Sequence, residues 1–262
     1  MRHSLRYAIG SDAGISGRLN QDSVYASPHL LAVADGMGGH AHGEVASAVA
    51  VGVLAELDTR LPTADPLAAL ADTVAVVLRR LTDLAADDPE LTGMGSTLTA
   101  MMFDGTRFGV AHVGDSRAYL VRDDTLSQLT RDHTLVQSLV DDGRITADEA
   151  AAHPRRSVLM RALQAGGAAE PDLFAHPTIE GDRYLLCSDG VTCVVDPDAI
   201  HAAMTTIHEP ADVVNHLIDT AKRLRSPDNI SCVVADVVRY KRSRWTRLRQ
   251  PRGVSNPTIG SP

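Results

Sequence analysis

Four aspartates stand at the ends of apolar runs, three where a run stops and one where a run begins. In Leu30-Leu31-Ala32-Val33-Ala34-Asp35-Gly36-Met37-Gly38-Gly39-His40 an apolar segment meets a carboxylate, then a Gly-rich turn, then apolar-periodic residues. The pattern returns where residues 108–113 run into Gly114-Asp115-Ser116-Arg117, and where residues 184–187 run into Ser188-Asp189-Gly190. It returns again in Pro227-Asp228-Asn229, just before the last apolar stretch. A single Asp-Gly is ordinary turn chemistry. Four acids at strand ends can converge at one end of a pair of sheets. Converging carboxylates repel and raise each other's pKa. Two arrangements let them coexist: pairing with Arg or Lys, or binding divalent cations. No His or Cys is interleaved with them, so any cation would be a hard ion such as Mg²⁺ or Mn²⁺ rather than Zn²⁺. Two such ions can orient a phosphoester and lower the pKa of a water between them, which is chemistry for hydrolysis. Arg18, on a glycine-bracketed loop, offers a fork suited to phosphate. Asp22 could join the acids through a water.

Such groups need rigid elements beneath them. Residues 5–12, 23–26 and 30–34 read as strands. Val45, Val49, Val53 and Leu57 recur every four residues and predict an amphipathic helix over 45–61, ended by Pro62. Asp65 as N-cap and Pro66 in the first turn predict a second helix over 66–86. Residues 97–103, 107–113, 118–122 and 125–129 alternate as strands, with turns at Asp104-Gly105 and Asp123-Asp124. Short helices and loops are expected over 134–168, a strand over 182–187, helices over 196–204 and 210–224, and a closing strand over 229–238. This order lacks βαβ alternation, which disfavours a doubly wound parallel sheet. Two antiparallel sheets packed face to face, with helices outside, fit it better.

No repeat or linker divides residues 1–240, so one domain is expected there. The chain has 262 residues and is 44% hydrophobic but only 3% aromatic, so Val, Leu and Ala must fill its core. Three cysteines without a CxxC pair argue against a disulfide framework or a structural zinc site. No run reaches the roughly 18 apolar residues of a membrane span, and no signal-peptide pattern opens the chain; a cytoplasmic location is the expectation. Residues 241–262 hold six basic side chains and no acid, so residues 1–240 carry −14 (the net −8 less the tail's +6). So acidic a body should repel nucleic acid. The basic, Pro- and Gly-containing tail is expected to be disordered.

Six segments taken together carry a resemblance. They are Ser11-Asp12-Ala13-Gly14 through Arg18-Leu19-Asn20-Gln21-Asp22, Asp35-Gly36-Met37-Gly38-Gly39-His40, Gly95-Ser96-Thr97, Gly114-Asp115-Ser116-Arg117, Ser188-Asp189-Gly190 and Asp228-Asn229-Ile230-Ser231. In order and spacing they resemble the metal-dependent serine/threonine protein phosphatases of the protein phosphatase 2C type, bacterial branch, especially those that oppose transmembrane Ser/Thr kinases. The resemblance runs from about residue 5 to 238. It implies an α+β fold, a four-layer α-β-β-α sandwich of two antiparallel sheets flanked by helices. It implies hydrolysis of phosphoserine and phosphothreonine by a water activated between two Mn²⁺ or Mg²⁺ ions, with a weaker third. By resemblance Asp35 bridges both metals, Gly36 gives its backbone carbonyl, Asp189 and Asp228 complete the shell, Asp22 acts through water, Arg18 holds the phosphate, and Asp115 serves the third ion. The segment 138–168 matches the family's flap. Partners implied are phosphorylated proteins, namely Ser/Thr kinases and their substrates, met by a monomer; a membrane would be reached only through an anchor beyond residue 262. Two positions depart from the family: Met37, where animal members carry a His, and Cys193, where an Asp is usual. His40 lies near the first. A catalytically weak member that binds phosphoproteins as a regulator is the alternative reading.

Overall fold

A computed structural model describes residues 3–15, 19–38, 42–60, 65–167 and 169–240. Two antiparallel sheets form its frame, as the strand order predicts. One sheet runs β1 (His3–Asp12), β12 (Ile230–Arg239), β11 (Arg183–Cys187), β7 (Arg117–Arg122) and β8 (Thr125–Gln128). The other runs β10 (Asp172–Pro177), β6 (Arg107–Val113), β5 (Leu98–Phe103), β3 (Leu30–Met37), β4 (Gly95–Ser96) and β9 (Leu163–Gln164), with β2 (Asp22–Ala26) also paired to β3.

Side-chain alternation along each strand sorts the core into three layers. From β3, Leu31 and Val33 join Val233, Ala235 and Val237 of β12 between the sheets. Leu30, Ala32 and Ala34 face the other way, onto α1 (Gly43–Asp58) and α2 (Pro66–Asp87). Ile230, Cys232 and Val234 of β12 face α5 (Asp189–Thr192), α6 (Pro197–Thr206) and α7 (Pro210–Arg223). The result is the α-β-β-α order. Phe103, Phe108 and Tyr184 stack between the sheets with ring centroids 5.0 and 4.8 Å apart, so the few aromatics are spent where two pleated faces must be spaced. Asp65 caps α2 as expected, accepting from the amides of Leu67 and Ala68.

Three features differ from expectation. β3 does not stop at Ala34: Asp35 pairs with Asp22 and Gly36 with Ser96, so the acid sits inside a strand. β9 and β10 are additional; β10 is an edge strand with alternating half-buried and exposed residues, and only β6 pairs with it. Ser188-Asp189-Gly190 opens a single helical turn rather than a loop. Between β8 and β9 lie α3 (Leu135–Asp141) and α4 (Ala147–Ala151). No helix among the described residues is long and apolar enough to cross a membrane. The expected helix end at Pro62 and the basic tail lie outside the described residues.

Candidate active site

The strand ends do converge. Asp35, Gly36, Asp115, Asp189 and Asp228 line one cleft of about 700 Å³, together with Leu19, Gln21, Met37, Thr97, Ser157 and Leu159. Asp22 lies directly across the β2–β3 ladder from Asp35, so two like charges share one face of a sheet. Arg18 and His40 lie outside the described residues. Cys193 sits beside the group, its thiol near the Gly190 carbonyl and the Ser226 hydroxyl.

Each acid is held by its backbone. The Asp35 amide donates to Thr97 Oγ1 (3.0 Å), and its carbonyl accepts from the Thr97 amide and the Ser96 hydroxyl. Thr97 Oγ1 also bonds Ser116 Oγ at 2.7 Å, which ties β3 to the Gly114–Ser116 turn. Gly114 has φ +110°, and a Cβ there would lie 2.6 Å from the Thr97 side chain; only glycine suits this turn. Asn229 accepts from the Gln21 amide and donates to the Ala13 carbonyl, fastening the loop before Asp22 to the start of β12. Ser188 Oγ donates to Asp22 Oδ2 at 2.8 Å. A Cβ at Gly190 would stand 1.8 Å from the Asn229 carbonyl oxygen. Gly190→Ala is therefore expected to destabilise the fold by about 3 kcal/mol, lowering Tm by roughly 5–10 °C; an unchanged melting curve would show that this packing yields easily.

The electrostatics separate the two ways in which clustered acids coexist. Among the described residues none of the five carboxylates forms an ion pair: Arg117 is committed to Asp132, and Lys222 to Asp12. Burial first, then the neighbouring charges of Asp22, Asp189, Asp115 and Asp228, holds the Asp35 carboxyl well above the usual range. Burial pushes Asp22 and Asp189 up to about 6, and Asp115 up to about 7. Asp22 Oδ1 and Asp189 Oδ1 are buried without a hydrogen-bond partner among the described residues. No three His, Cys, Asp or Glu side chains among the described residues close around one point, as expected of like charges facing each other. Oxygen-only donors, most of them buried and none of them in an ion pair among the described residues, fit hard divalent ions.

Neighbouring residues that pattern reading missed complete the support. His112 is buried under the cleft between Thr99 Oγ1 (2.9 Å) and the Arg131 carbonyl (3.0 Å). His133 stacks on it with centroids 4.7 Å apart. Neither belongs to a run that announces a site; each is one imidazole in a β-type or loop segment.

The model of the protein phosphatase 2C family matches residues 9–236. The chain belongs to the protein phosphatase 2C family. Within this family it is similar to the serine/threonine protein phosphatase PstP of Mycobacterium tuberculosis, 50% identical over 236 residues, 90% of this chain and 46% of that protein. It thus spans about half the length of that relative. A serine/threonine phosphatase, stp, of Listeria innocua is 38% identical over 214 residues, 79% of this chain and 84% of its own. A crystal structure of the PstP catalytic domain in complex with two manganese ions matches with a TM-score of 0.84 at 48% identity, covering 90% of this chain and 99% of that one. The two-sheet protein phosphatase 2C architecture expected from the sequence is therefore present.

Proposed function

We propose that this chain hydrolyses phosphoserine and phosphothreonine in proteins with the help of divalent cations, opposing Ser/Thr protein kinases, and that residues 1–240 form its catalytic domain. One observation carries the reading: five aspartates gathered at one cleft, without a basic partner among the described residues, two of them with a buried oxygen left unbonded. The manganese in the related PstP structure and the identity of both relatives as serine/threonine phosphatases support it. Asp35, the Gly36 carbonyl, Asp189 and Asp228 would hold two Mn²⁺ or Mg²⁺ ions, Asp22 would act through water, and Asp115 would serve a weaker third. When bound, such ions neutralise phosphate charge and make a water nucleophilic at neutral pH.

The protein's own part is placement. β3 and β12 bring their acids from opposite sheets to one edge, and the Thr97–Ser116 hydroxyl pair fixes the distance between the Asp35 and Asp115 backbones. Arg18 would grip the phosphate; Arg18→Ala is expected to raise KM for phosphopeptides about tenfold, with a smaller change in kcat, and a collapsed kcat at unchanged KM would assign it another role. Met37 brings a thioether to the cleft and no proton, so any proton for the leaving hydroxyl would come from water or from His40.

Cys193 is a neutral thiol, raised by burial, within reach of the Asp189 and Asp228 charges. A neutral sulfur is a poor donor to a hard ion. Cys193→Asp is therefore expected to tighten the weakest ion, seen calorimetrically as a lower Kd for Mn²⁺. Superimposable binding curves would remove Cys193 from the account.

The deciding assay follows phosphate release from phosphoserine and phosphothreonine peptides with Mn²⁺, after chelation, and after Mn²⁺ is returned. Turnover that survives exhaustive chelation would overturn the reading. Ion binding and phosphopeptide binding without turnover would favour a binding regulator instead.

A further inference from the structure

His133 uses every polar group it has, and they lead to three different places. Its amide donates to the Gly114 carbonyl at 2.7 Å. Its ring Nδ1 lies 3.1 Å from the Gly114 amide. An amide only donates, so Nδ1 is the bare nitrogen and Nε2 carries the proton. That Nε2–H points to Asp172 Oδ2 at 3.0 Å, and Asp172 Oδ1 accepts from Arg161 at 2.9 Å. The His133 carbonyl accepts from the Met160 amide at 2.7 Å. The next residues continue the contact: Thr134 bridges Leu159, and the Leu135 amide donates to the Val158 carbonyl.

Asp115, next to the buried Gly114, lines the cleft, and so do the exposed Ser157 and the half-buried Leu159; the first belongs to its inner floor and the other two to its outer lip. One buried residue therefore joins floor and lip. The ring is confined by the His112 ring on one face and is about 5% exposed as a residue, so it cannot shift without moving one or the other. We propose that His133 is a positioning residue that couples the 157–161 lip to the Asp115 turn, so that a peptide resting on the lip steadies the cleft floor. This rests on the cleft being the phosphoester site. A small phosphoester that does not reach the lip gains nothing from the coupling; a phosphopeptide does.

The test compares kcat and KM for a phosphothreonine peptide and for p-nitrophenyl phosphate in the Mn²⁺-loaded chain. Asp172 has a half-exposed side chain, so Asp172→Ala releases Nε2 without opening the core. It is expected to lower kcat/KM for the peptide about tenfold and for the small ester by less than about threefold. His133→Asn keeps an acceptor near the position of Nδ1, whereas His133→Gln reaches towards Asp172 and leaves the Gly114 amide unpaired. Asn is therefore expected to retain more peptide activity than Gln. Hydrogen exchange at the Gly114 and Met160 amides, measured without substrate, is expected to speed up together in Asp172→Ala. Equal losses on both substrates, equal Asn and Gln variants, or unchanged exchange at either amide would each overturn the coupling. Should the wild-type chain hydrolyse no phosphoester at all, the proposed function falls, and the exchange result alone then decides whether floor and lip are joined.

Discussion

Asp35→Asn is expected to cut turnover by about a thousandfold or more while the chain folds as before. Asp35 stands on β3 at the centre of the acids: Asp22 faces it across the ladder, and Asp189, Asp115 and Asp228 act on its charge. The amide has the shape of the acid, and the backbone bonds to Thr97 and Ser96 do not involve the side chain. What the substitution removes is the charge that, on the proposed reading, would be shared by the two main ions. Asp115, with fewer close partners, gives the contrast: Asp115→Asn is expected to slow turnover only about tenfold. Calorimetry with Mn²⁺ and a melting curve in chelator separate lost binding from lost folding. Two ions bound with wild-type affinity, together with retained turnover, would show that Asp35 is not the residue they share.

The same residues show what a sequence can carry. Asp35, Asp115, Asp189 and Asp228 were legible because each abuts an apolar run, and a carboxylate beside a buried strand is costly unless something uses it. The apolar runs in residues 30–34 and 229–238 were legible because these strands are buried on both faces, with alternate residues entering different cores. What did not show was what depends on partners distant in sequence. β10, Asp-Leu-Phe-Ala-His-Pro, carries no apolar run and no fully buried residue to mark it, because it lies at a sheet edge and pairs, among the described residues, with β6 alone. The extension of β3 through Asp35 follows from its pairing with Asp22 and Ser96, and no local propensity predicts an acid inside a strand. His133 was invisible for the same reason: Gly114, Met160 and Asp172 lie 19, 27 and 39 residues away in the chain. Motif reading found the groups that do chemistry, and it passed over the groups that hold them.

In chelator, stability is expected to fall as pH rises from about 4 to about 8, and Mn²⁺ is expected to reverse that slope. Folding raises Asp22, Asp189 and Asp115 from the ordinary 3.8 to about 6, 6 and 7, and raises Asp35 as well. A carboxyl raised by folding keeps its proton in the folded chain after the unfolded chain has lost it. Its contribution is complete below about 3.8 and disappears as pH climbs through the folded value. His112 runs the other way. Burial lowers it from 6.5 to about 4, so its contribution is complete above 6.5 and is lost as pH falls towards 4. Burial lowers His133 and His176 as well, but four carboxyls displaced upward, three of them from 3.8 to about 6 or above, outweigh these three imidazoles and set the sign for the metal-free chain. The ion-paired acids Asp12 and Asp182 are lowered instead and titrate below this window. Bound Mn²⁺ favours the charged carboxylates, which removes their penalty. Protons then compete with the metal, so the loaded chain loses stability towards acid, in the same direction as His112. Calorimetric Tm values at pH 5, 6, 7 and 8, with chelator and with Mn²⁺, should therefore slope in opposite directions. Parallel slopes would mean that the five aspartates are not the groups that the cations neutralise.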